Sequence, residues 1–245
     1  MPPRRRRKTG TLAILLGIAT ATLGGCLPAS VTAQGRAVSE LWTMFLVPAI
    51  VVAAIVWGLT TFAVLRYRRR RAASDVGPQQ TADDRRLEIA WTVLPIVTVL
   101  VLFGLTVNAL ARIDARTPGG VNVSITAFRW QWQIDSPDDR VTVVGSSDTP
   151  AEMVVPVDEP VHVTLTSPDV VHSFYVPVFL FKRDATPGRP TDFEFTVDEA
   201  GTYHGQCAEF CGVGHGAMTL TVRAVPRSDY EAWLAQNPAA GEMTR

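Results

Sequence analysis

The sequence predicts two membrane-spanning helices followed by an all-β domain outside the membrane. Two segments of 25 and 23 residues without a charged residue lie in the first half of the chain. The second half consists of short β-branched or alternating segments separated by Pro, Gly and Asp, which is typical of an antiparallel sandwich or barrel. Charge divides in the same way. Residues 1–112 carry 14 Lys/Arg against 5 Asp/Glu, a net +9, and residues 113–245 carry 9 against 18, a net −9. This opposite net charge indicates that the two halves of the chain face different surroundings.

The N-terminus has the pattern of a signal peptide. A basic stretch, MPPRRRRKTG, precedes a short apolar stretch and small residues, so residues 1–25 are predicted to be removed on export. The LGGC sequence that ends at Cys26 resembles a bacterial lipobox, in which the cysteine becomes the lipidated first residue. We therefore predict lipidation at Cys26. The alternative is an ordinary signal peptide with an incidental cysteine.

The two uncharged segments, residues 41–65 and 89–111, are the predicted spanning helices. About 20 apolar residues at roughly 1.5 Å each cross the hydrocarbon core of a bilayer. The loop between them, residues 66–88, begins with RYRRRR, and short Arg-rich loops stay in the cytoplasm. Both ends of the helical hairpin then point outward. The β domain, residues 113–225, and a C-terminal tail, residues 226–245, are therefore predicted to lie outside.

Soft metal ligands are concentrated in GQCAEFCGVGHGAM, which contains Cys207, Cys211, His215 and Met218. An exported location permits a disulfide, but closing so short a loop adds little stability and leaves the histidine and methionine unexplained. A redox dithiol is a second possibility, because C-x3-C with a distant histidine resembles the Sco-type copper chaperones. Their thioredoxin-like α/β fold does not match the strand pattern. Zinc prefers C-x2-C pairs without a thioether.

Thiolate, imidazole and thioether ligands together favour copper. A mononuclear blue-copper site needs one cysteine, two histidines and an axial methionine. Two thiolates four residues apart can instead bridge two copper ions, each of which takes one imidazole. The second imidazole is best supplied by His172, in SPDVVHSFYVP, which follows a strand and a turn and has apolar neighbours. We expect His162 to face outward from a strand, and His204 to be a surface group or a neighbour of the ligands.

Three segments, SPDVVHSFYVP, DATPGRP and YHGQCAEFCGVGHGAM, closely resemble subunit II of the haem-copper cytochrome c oxidases. The resemblance covers roughly residues 41–225 and implies a cupredoxin-like Greek-key barrel after the two helices. It further implies an aa3-type oxidase in which a binuclear copper centre, CuA, accepts electrons from cytochrome c. Subunit II would pass them to the haem–copper site of subunit I, which reduces O2 to water coupled to proton translocation.

The resemblance also implies the ligands of the site. They are two bridging thiolates, one imidazole for each copper, a weak thioether and one backbone carbonyl, supplied by Cys207, Cys211, His172, His215, Met218 and Glu209. The carboxylate of Glu209 would face subunit I and share a magnesium ion with it.

Further roles implied by the resemblance fall outside the ligand set. Trp130, in AFRWQWQ, matches the tryptophan through which electrons enter, but Gln131 stands where the family usually has an aromatic residue, which alters the expected docking of the partner. Glu88 matches the entrance of a proton-uptake path into subunit I, with a solvated interfacial carboxylate as the alternative. Asp169 matches an acidic residue that docks cytochrome c, or else caps the turn before His172.

The implied partners are oxidase subunits I and III, a soluble or membrane-tethered cytochrome c, and the bacterial plasma membrane, with the C-terminal domain on its outer face. The acidic half has no basic patch interleaved with aromatic residues, so nucleic-acid binding is not expected. The sequence contains no C-x2-C-H motif, so a fused c-type haem is not expected. Two rivals remain. A quinol-oxidase subunit II lacks the cysteines and histidines that this chain has, and a nitrous oxide reductase lacks the membrane hairpin.

Overall fold

The structure, a computed structural model, describes residues 27–68, 84–136, 141–146 and 148–237. The predicted signal peptide, Cys26 and most of the predicted loop at residues 66–88 lie outside the described residues. The chain divides into two compact units. One is Glu40–Ile113, and the other combines the residues up to Ser39 with those from Asp114 onward.

Two long helices are present: α1, Ala33–Tyr67, and α2, Arg85–Ile113. The first unit contains α2 and all of α1 except residues 33–39, which belong to the second unit. Each contains the corresponding predicted span and is long and apolar enough to cross a membrane. Their apolar side chains are exposed in the isolated chain, as expected of surfaces that face lipid or other membrane subunits. Asp84 caps α2, because its Oδ1 accepts two backbone N–H groups of the first turn at 3.0 and 3.2 Å. Arg112, near the end of α2, lies 3.9 Å from Glu40 of α1.

The described part of the second unit contains ten strands in two five-stranded sheets. They are β1 Val121–Phe128, β2 Gln131–Ser136, β3 Val141–Val144, β4 Ala151–Pro156, β5 Pro160–Thr166, β6 His172–Val176, β7 Phe181–Ala185, β8 Thr191–Thr196, β9 Gly201–Cys207 and β10 Thr219–Val225. One sheet has the order β3-β2-β1-β5-β8 and the other β4-β10-β9-β6-β7. Alternate side chains along the strands enclose a shared apolar core. A short helix, α3, Arg227–Gln236, follows and buries Tyr230. Two apolar helices followed by a two-sheet β domain confirm the predicted fold class.

The prediction of a purely antiparallel domain is wrong in one respect. Each sheet contains a parallel pair, β1 with β5 and β10 with β4. The chain crosses between the sheets before it returns, so these strands lie beside partners that run in the same direction. Alternation along a strand has a period of two for either direction of pairing, so the local pattern carries no information on this point.

The alternating residues of AFRWQWQ do not form one continuous strand. Strand β1 ends at Phe128 and β2 begins at Gln131, and the two strands pair antiparallel as a hairpin. Arg129 and Trp130 therefore form its turn instead of continuing a strand. Both turn residues contact the candidate site described below.

Residues 27–39 pack on the β domain, which the local sequence pattern did not indicate. Thr32 pairs with Val197 as an isolated β-bridge. The Thr32 hydroxyl also caps α1 by accepting a backbone N–H at 3.0 Å. The Gln34 Oε1 accepts the Thr196 N–H at 3.0 Å. The contacts with Val197 and Thr196 join residues more than 160 positions apart, so the N-terminal segment is part of the same folded unit as the strands.

Candidate metal centre

The predicted ligand groups come from two places at one end of the second sheet. His172 is the first residue of β6 and Cys207 is the last residue of β9. The loop after β9 leads through a single 3-10 turn, His215–Ala217, to Met218, and β10 begins at the next residue. The Cys207 N–H donates to the Met218 carbonyl at 2.9 Å and closes the base of the loop. The next N–H along the loop donates to a carbonyl of β6 at 3.0 Å. Backbone hydrogen bonds thus fix the loop to both neighbouring strands.

The ligand side chains converge on one small volume. Cys207 Sγ lies 3.9 Å from Cys211 Sγ and 3.8 Å from His172 Nδ1. Cys211 Sγ lies 3.6 Å from His215 Nδ1 and 3.9 Å from Met218 Sδ. Metal bonds of about 2.3 Å to sulfur and about 2.0 Å to nitrogen, at a tetrahedral angle, separate sulfur from nitrogen by about 3.5 Å and two sulfurs by about 3.8 Å. The spacing therefore fits soft metal ions, with one imidazole beside each sulfur.

Four of the five ligand side chains are buried, and the fifth, His215, is half-buried. Cys207, Cys211, His172 and Met218 are all at most 5% exposed. The buried Trp132 ring packs edge-on to the His172 ring, with 6.5 Å between their centroids. Burial, followed by the neighbouring Cys207 sulfur, raises the pKa of Cys211 to about 11. A metal ion that binds here must therefore displace a thiol proton near neutral pH.

The two cysteines are free thiols in this structure. Their sulfurs lie 3.9 Å apart, whereas a disulfide bond is about 2.05 Å long. The arrangement is therefore that of a dithiol with two adjacent imidazoles, and the disulfide alternative does not describe it.

Asp169 orients the His172 ring. The His172 Nε2–H donates to Asp169 Oδ1 at 2.9 Å, so the lone pair of the neutral ring is on Nδ1, the nitrogen that faces Cys207. Burial of Asp169 opposes its ionisation, but the Arg129 N–H, the His172 ring and the Val170 N–H more than offset this and hold the pKa of its carboxyl well below the usual range. An ionised carboxylate therefore fixes the ring with its ligating nitrogen toward the site.

Trp130 connects the outer surface to the ligand loop. Its indole N–H donates to the Cys211 carbonyl at 3.1 Å, while the residue is 38% exposed. Gly212 and Gly214 let the loop lie against the ring, because a Cβ on them would lie 3.2 and 2.6 Å from Trp130 atoms. The adjacent Arg129 N–H donates to Asp169 Oδ2 at 2.8 Å. The hairpin turn and the ligand loop therefore hold each other in place.

Glu209 presents two different groups. Its carbonyl oxygen lies 3.2 Å from Cys207 Sγ and accepts a hydrogen bond from it. Its carboxylate pairs with Lys182, whose ammonium also lies 3.5 Å from Asp184. The hydrogen bond to Glu209 is the main cause of the raised pKa of Lys182. The carboxylate is thus directed to a surface lysine, and only the carbonyl faces the sulfurs.

The remaining predicted residues lie apart from the ligand cluster. Glu88 is exposed in the first turn of α2, in the other unit. Gln131 begins β2, and His204 is exposed on β9. His162 projects outward from β5 as expected, but contacts with neighbouring residues leave its side chain only 23% exposed. The roles expected of Glu88 and Gln131 stay predictions.

Sequence reasoning did not find the contacts that support the ligands. These are Asp169 with Arg129, Glu209 with Lys182, and the close approach of Gly214 to Trp130. The sequence did contain a signal for the close approach of Gly214 to Trp130, since glycines on both sides of Val213 mark a loop that passes close to another group.

Two family models match this chain. The model described as the cytochrome c oxidase subunit II transmembrane domain matches residues 20–109, and the model described as its periplasmic domain matches residues 136–225. A cytochrome c oxidase subunit 2 from Cereibacter sphaeroides is 31% identical over 210 residues, which cover 73% of this chain and 68% of that relative. This chain belongs to the cytochrome c oxidase subunit II family.

A second relative and a solved domain are also similar to this chain. A probable cytochrome c oxidase subunit 2 from Nocardia farcinica is 28% identical in an alignment of 308 positions, gaps included, which covers 95% of this chain and 82% of the relative. Among solved structures, the periplasmic domain of subunit II of the Bradyrhizobium japonicum cytochrome oxidase is 30% identical, covering 50% of this chain and 96% of its own, with a TM-score of 0.46. The transmembrane-domain model covers α1 and most of α2. The periplasmic-domain model covers β3 to β10, so the chain is a membrane protein of this family whose C-terminal domain lies outside. His172, Cys207 and Cys211 are residues that can bind copper.

Proposed function

We propose that this chain is the electron-accepting subunit of an aa3-type cytochrome c oxidase and that its ligand loop holds a binuclear CuA centre. The observation that carries the proposal is the convergence of two thiols, each with its own imidazole, beside a thioether. Bound copper would supply a one-electron carrier whose charge is shared between two metals and two sulfurs. The complex would use these electrons to reduce O2 to water, coupled to proton translocation.

The proposed ligand roles follow the contacts. Cys207 and Cys211 would hold the copper through their sulfurs, and His172 and His215 would hold it through the Nδ1 atoms that face those sulfurs. Weaker ligands would be the Met218 sulfur and the Glu209 carbonyl. Because backbone hydrogen bonds and Asp169 hold these groups before metal arrives, little rearrangement is needed when an electron is gained or lost.

Trp130 is the proposed electron inlet. Its exposed edge is available to a redox partner, and its N–H contacts the carbonyl of a ligand residue. Cytochrome c is the proposed donor, because an outer half with net charge −9 attracts a basic partner in a salt-dependent way. Asp169 was expected to serve docking. Its two oxygens accept hydrogen bonds from Arg129 and His172, which supports a positioning role more strongly.

The contacts with the other subunits are proposed on the family resemblance. The Glu209 carboxylate would share a magnesium ion with subunit I after leaving Lys182, and Glu88 would mark the entrance of a proton-uptake path in subunit I. Subunit III completes the proposed complex. The same proposal includes signal cleavage after residue 25 and lipidation of Cys26. It also includes a cytoplasmic loop at residues 66–88 and the β domain at residues 113–225 with its tail at residues 226–245.

The proposal is tested in the assembled oxidase with Cys207→Ser. We expect the complex to assemble and to lose the oxidation of added reduced cytochrome c, because one bridging thiolate is gone. Persistent cytochrome c oxidation would contradict the copper-dependent inlet. Glu88→Gln separately tests the proton path: proton uptake measured in vesicles should slow, and unchanged uptake would leave Glu88 as an interfacial carboxylate.

A further inference from the structure

The segment that leads from α2 into β1, residues 114–120, is held on the outer face of the first sheet. We call this segment the connector. Arg116 lies 3.3 Å from Asp192 of β8, and the Thr117 N–H donates to Glu194 Oε2, two residues along the same strand, at 2.8 Å. The Glu194 carboxylate is almost completely covered, at 5% side-chain exposure. The connector is thus attached to the sheet by an exposed ion pair and by a hydrogen bond to a buried carboxylate.

His162, on the neighbouring strand β5, completes this attachment. Its Nδ1 lies 3.2 Å from Glu194 Oε2, and its Nε2 lies 2.6 Å from the Gly119 carbonyl oxygen. His162 and Glu194 are direct cross-strand partners, so the two strands set the ring between the carboxylate and the connector. Both ring nitrogens therefore face hydrogen-bond acceptors.

A neutral imidazole has a single N–H and satisfies only one of these acceptors. If that proton is on Nε2, the Nδ1 lone pair faces the Glu194 carboxylate, and if it is on Nδ1, the Nε2 lone pair faces the Gly119 carbonyl. Only the doubly protonated ring donates to both. The observed geometry therefore suits the imidazolium form, and imidazoles change charge near neutral pH.

Among the described residues, the other groups around the ring do not supply a competing charge. On β1 the partner of His162 is Asn122, which is uncharged. On β8 the next outward-facing carboxylate, Asp192, is engaged by Arg116 and by the Thr164 hydroxyl. From the connector, the ring meets a backbone carbonyl.

We propose that His162 and Glu194 form a pH-sensitive clamp that holds the connector on the sheet and tightens as the pH outside the membrane falls. Protonation of the ring adds the second N–H, so that the connector carbonyl and the buried carboxylate are both satisfied. As pH rises and the ring loses that proton, one of the two contacts becomes repulsive and the connector is released more often. The proposal rests on the β domain facing the outside, and it does not depend on bound copper.

Hydrogen exchange of the full chain in detergent micelles tests the clamp. Wild type and His162→Gln are compared at about pH 6 and about pH 8, and the ratio of their exchange rates at each pH removes the intrinsic pH dependence of exchange. At the lower pH the connector amides, and Thr117 in particular, should exchange about tenfold faster in His162→Gln, since a hydrogen bond to a charged group is lost. At the higher pH the two proteins should agree within about twofold. His204→Gln removes an exposed imidazole and should match wild type at both values.

Equal ratios at the two pH values, or the absence of any difference near pH 6, would overturn the clamp. A second readout needs only the wild-type protein. The 15N spectrum of His162 should show two protonated ring nitrogens near pH 6 and one near pH 8, and Thr117 exchange, corrected for its intrinsic rate, should slow over the same interval as pH falls. A ring that remains neutral near pH 6 would overturn the proposal even if the variant failed to fold.

Discussion

Replacing Asp169 with asparagine tests how the ligand histidine is held. The side chain keeps its shape, and its Oδ1 can still accept the His172 Nε2–H. The charge is lost, however, and the amide NH2 then faces the Arg129 N–H and Nε, which lie 2.8 and 3.3 Å from Asp169 Oδ2. The amide NH2 and the two Arg129 groups are all hydrogen-bond donors, so both contacts with Arg129 are lost and the hairpin turn is loosened.

The expected loss is about tenfold in copper affinity, or about 1.4 kcal/mol. This is the lower end of the effect of removing a group that orients a metal ligand, because a charge-assisted hydrogen bond to His172 becomes a neutral one of roughly half the strength instead of disappearing. The side chain of Asp169 is 21% exposed, so solvent screens the interaction only in part.

The affinity is measured by competition between the full chain and a chromophoric copper(I) chelator. Asp192→Asn is the matched control: it makes the same charge change on β8, where the carboxylate contacts Arg116 and Thr164 instead of a ligand. Asp169→Asn should weaken copper binding and Asp192→Asn should not. Unchanged copper affinity in Asp169→Asn, with a raised KM for cytochrome c, would refute the positioning role and favour docking.

Three further outcomes are expected. Gly214→Ala should lower the free energy of unfolding of the domain by about 1–3 kcal/mol in denaturant unfolding, because its Cβ would lie 2.6 Å from Trp130. Gly216→Ala, with open space around its Cβ, should stay close to wild type. Equal effects of the two substitutions would contradict the packing. Trp130→Phe should slow reduction by cytochrome c in stopped-flow while the copper spectrum is unchanged, and an unaltered rate would exclude this inlet. Copper affinity should fall as pH falls from about 8 to about 6, by about tenfold per unit for each proton released, because the pKa of the Cys211 thiol is about 11 and binding must displace its proton. A flat pH profile would show that the thiols are already deprotonated.

The ligand loop can be predicted from the sequence because most of its ligand residues lie close together along the chain. Cys207, Cys211, His215 and Met218 lie within twelve consecutive residues, and ligand chemistry alone narrows the possible metals. His172 required a comparison among the remaining histidines. The structure places it beside Cys207 because β6 and β9 are neighbours, with Phe174 opposite Cys207 in the register.

Features that depend on distant contacts could not be read in this way. The Trp130 turn was obscured because RWQWQ alternates as a strand does, although the chain reverses there. The contacts of Asp169 span 40 residues to Arg129, and those of Gln34 span 162 residues to Thr196. A local pattern reports which face of a strand is buried, whereas partners across the fold depend on topology. The supporting contacts of the site, unlike its ligands, therefore needed the structure.

The most direct test is the copper content and the EPR spectrum of the full chain, purified in detergent and reconstituted with copper. A binuclear centre bridged by Cys207 and Cys211 predicts two copper ions per chain and one unpaired electron with hyperfine coupling to both nuclei. One copper with coupling to a single nucleus would indicate a mononuclear carrier and contradict the account. A copper-free protein with a Cys207–Cys211 disulfide would contradict it as well.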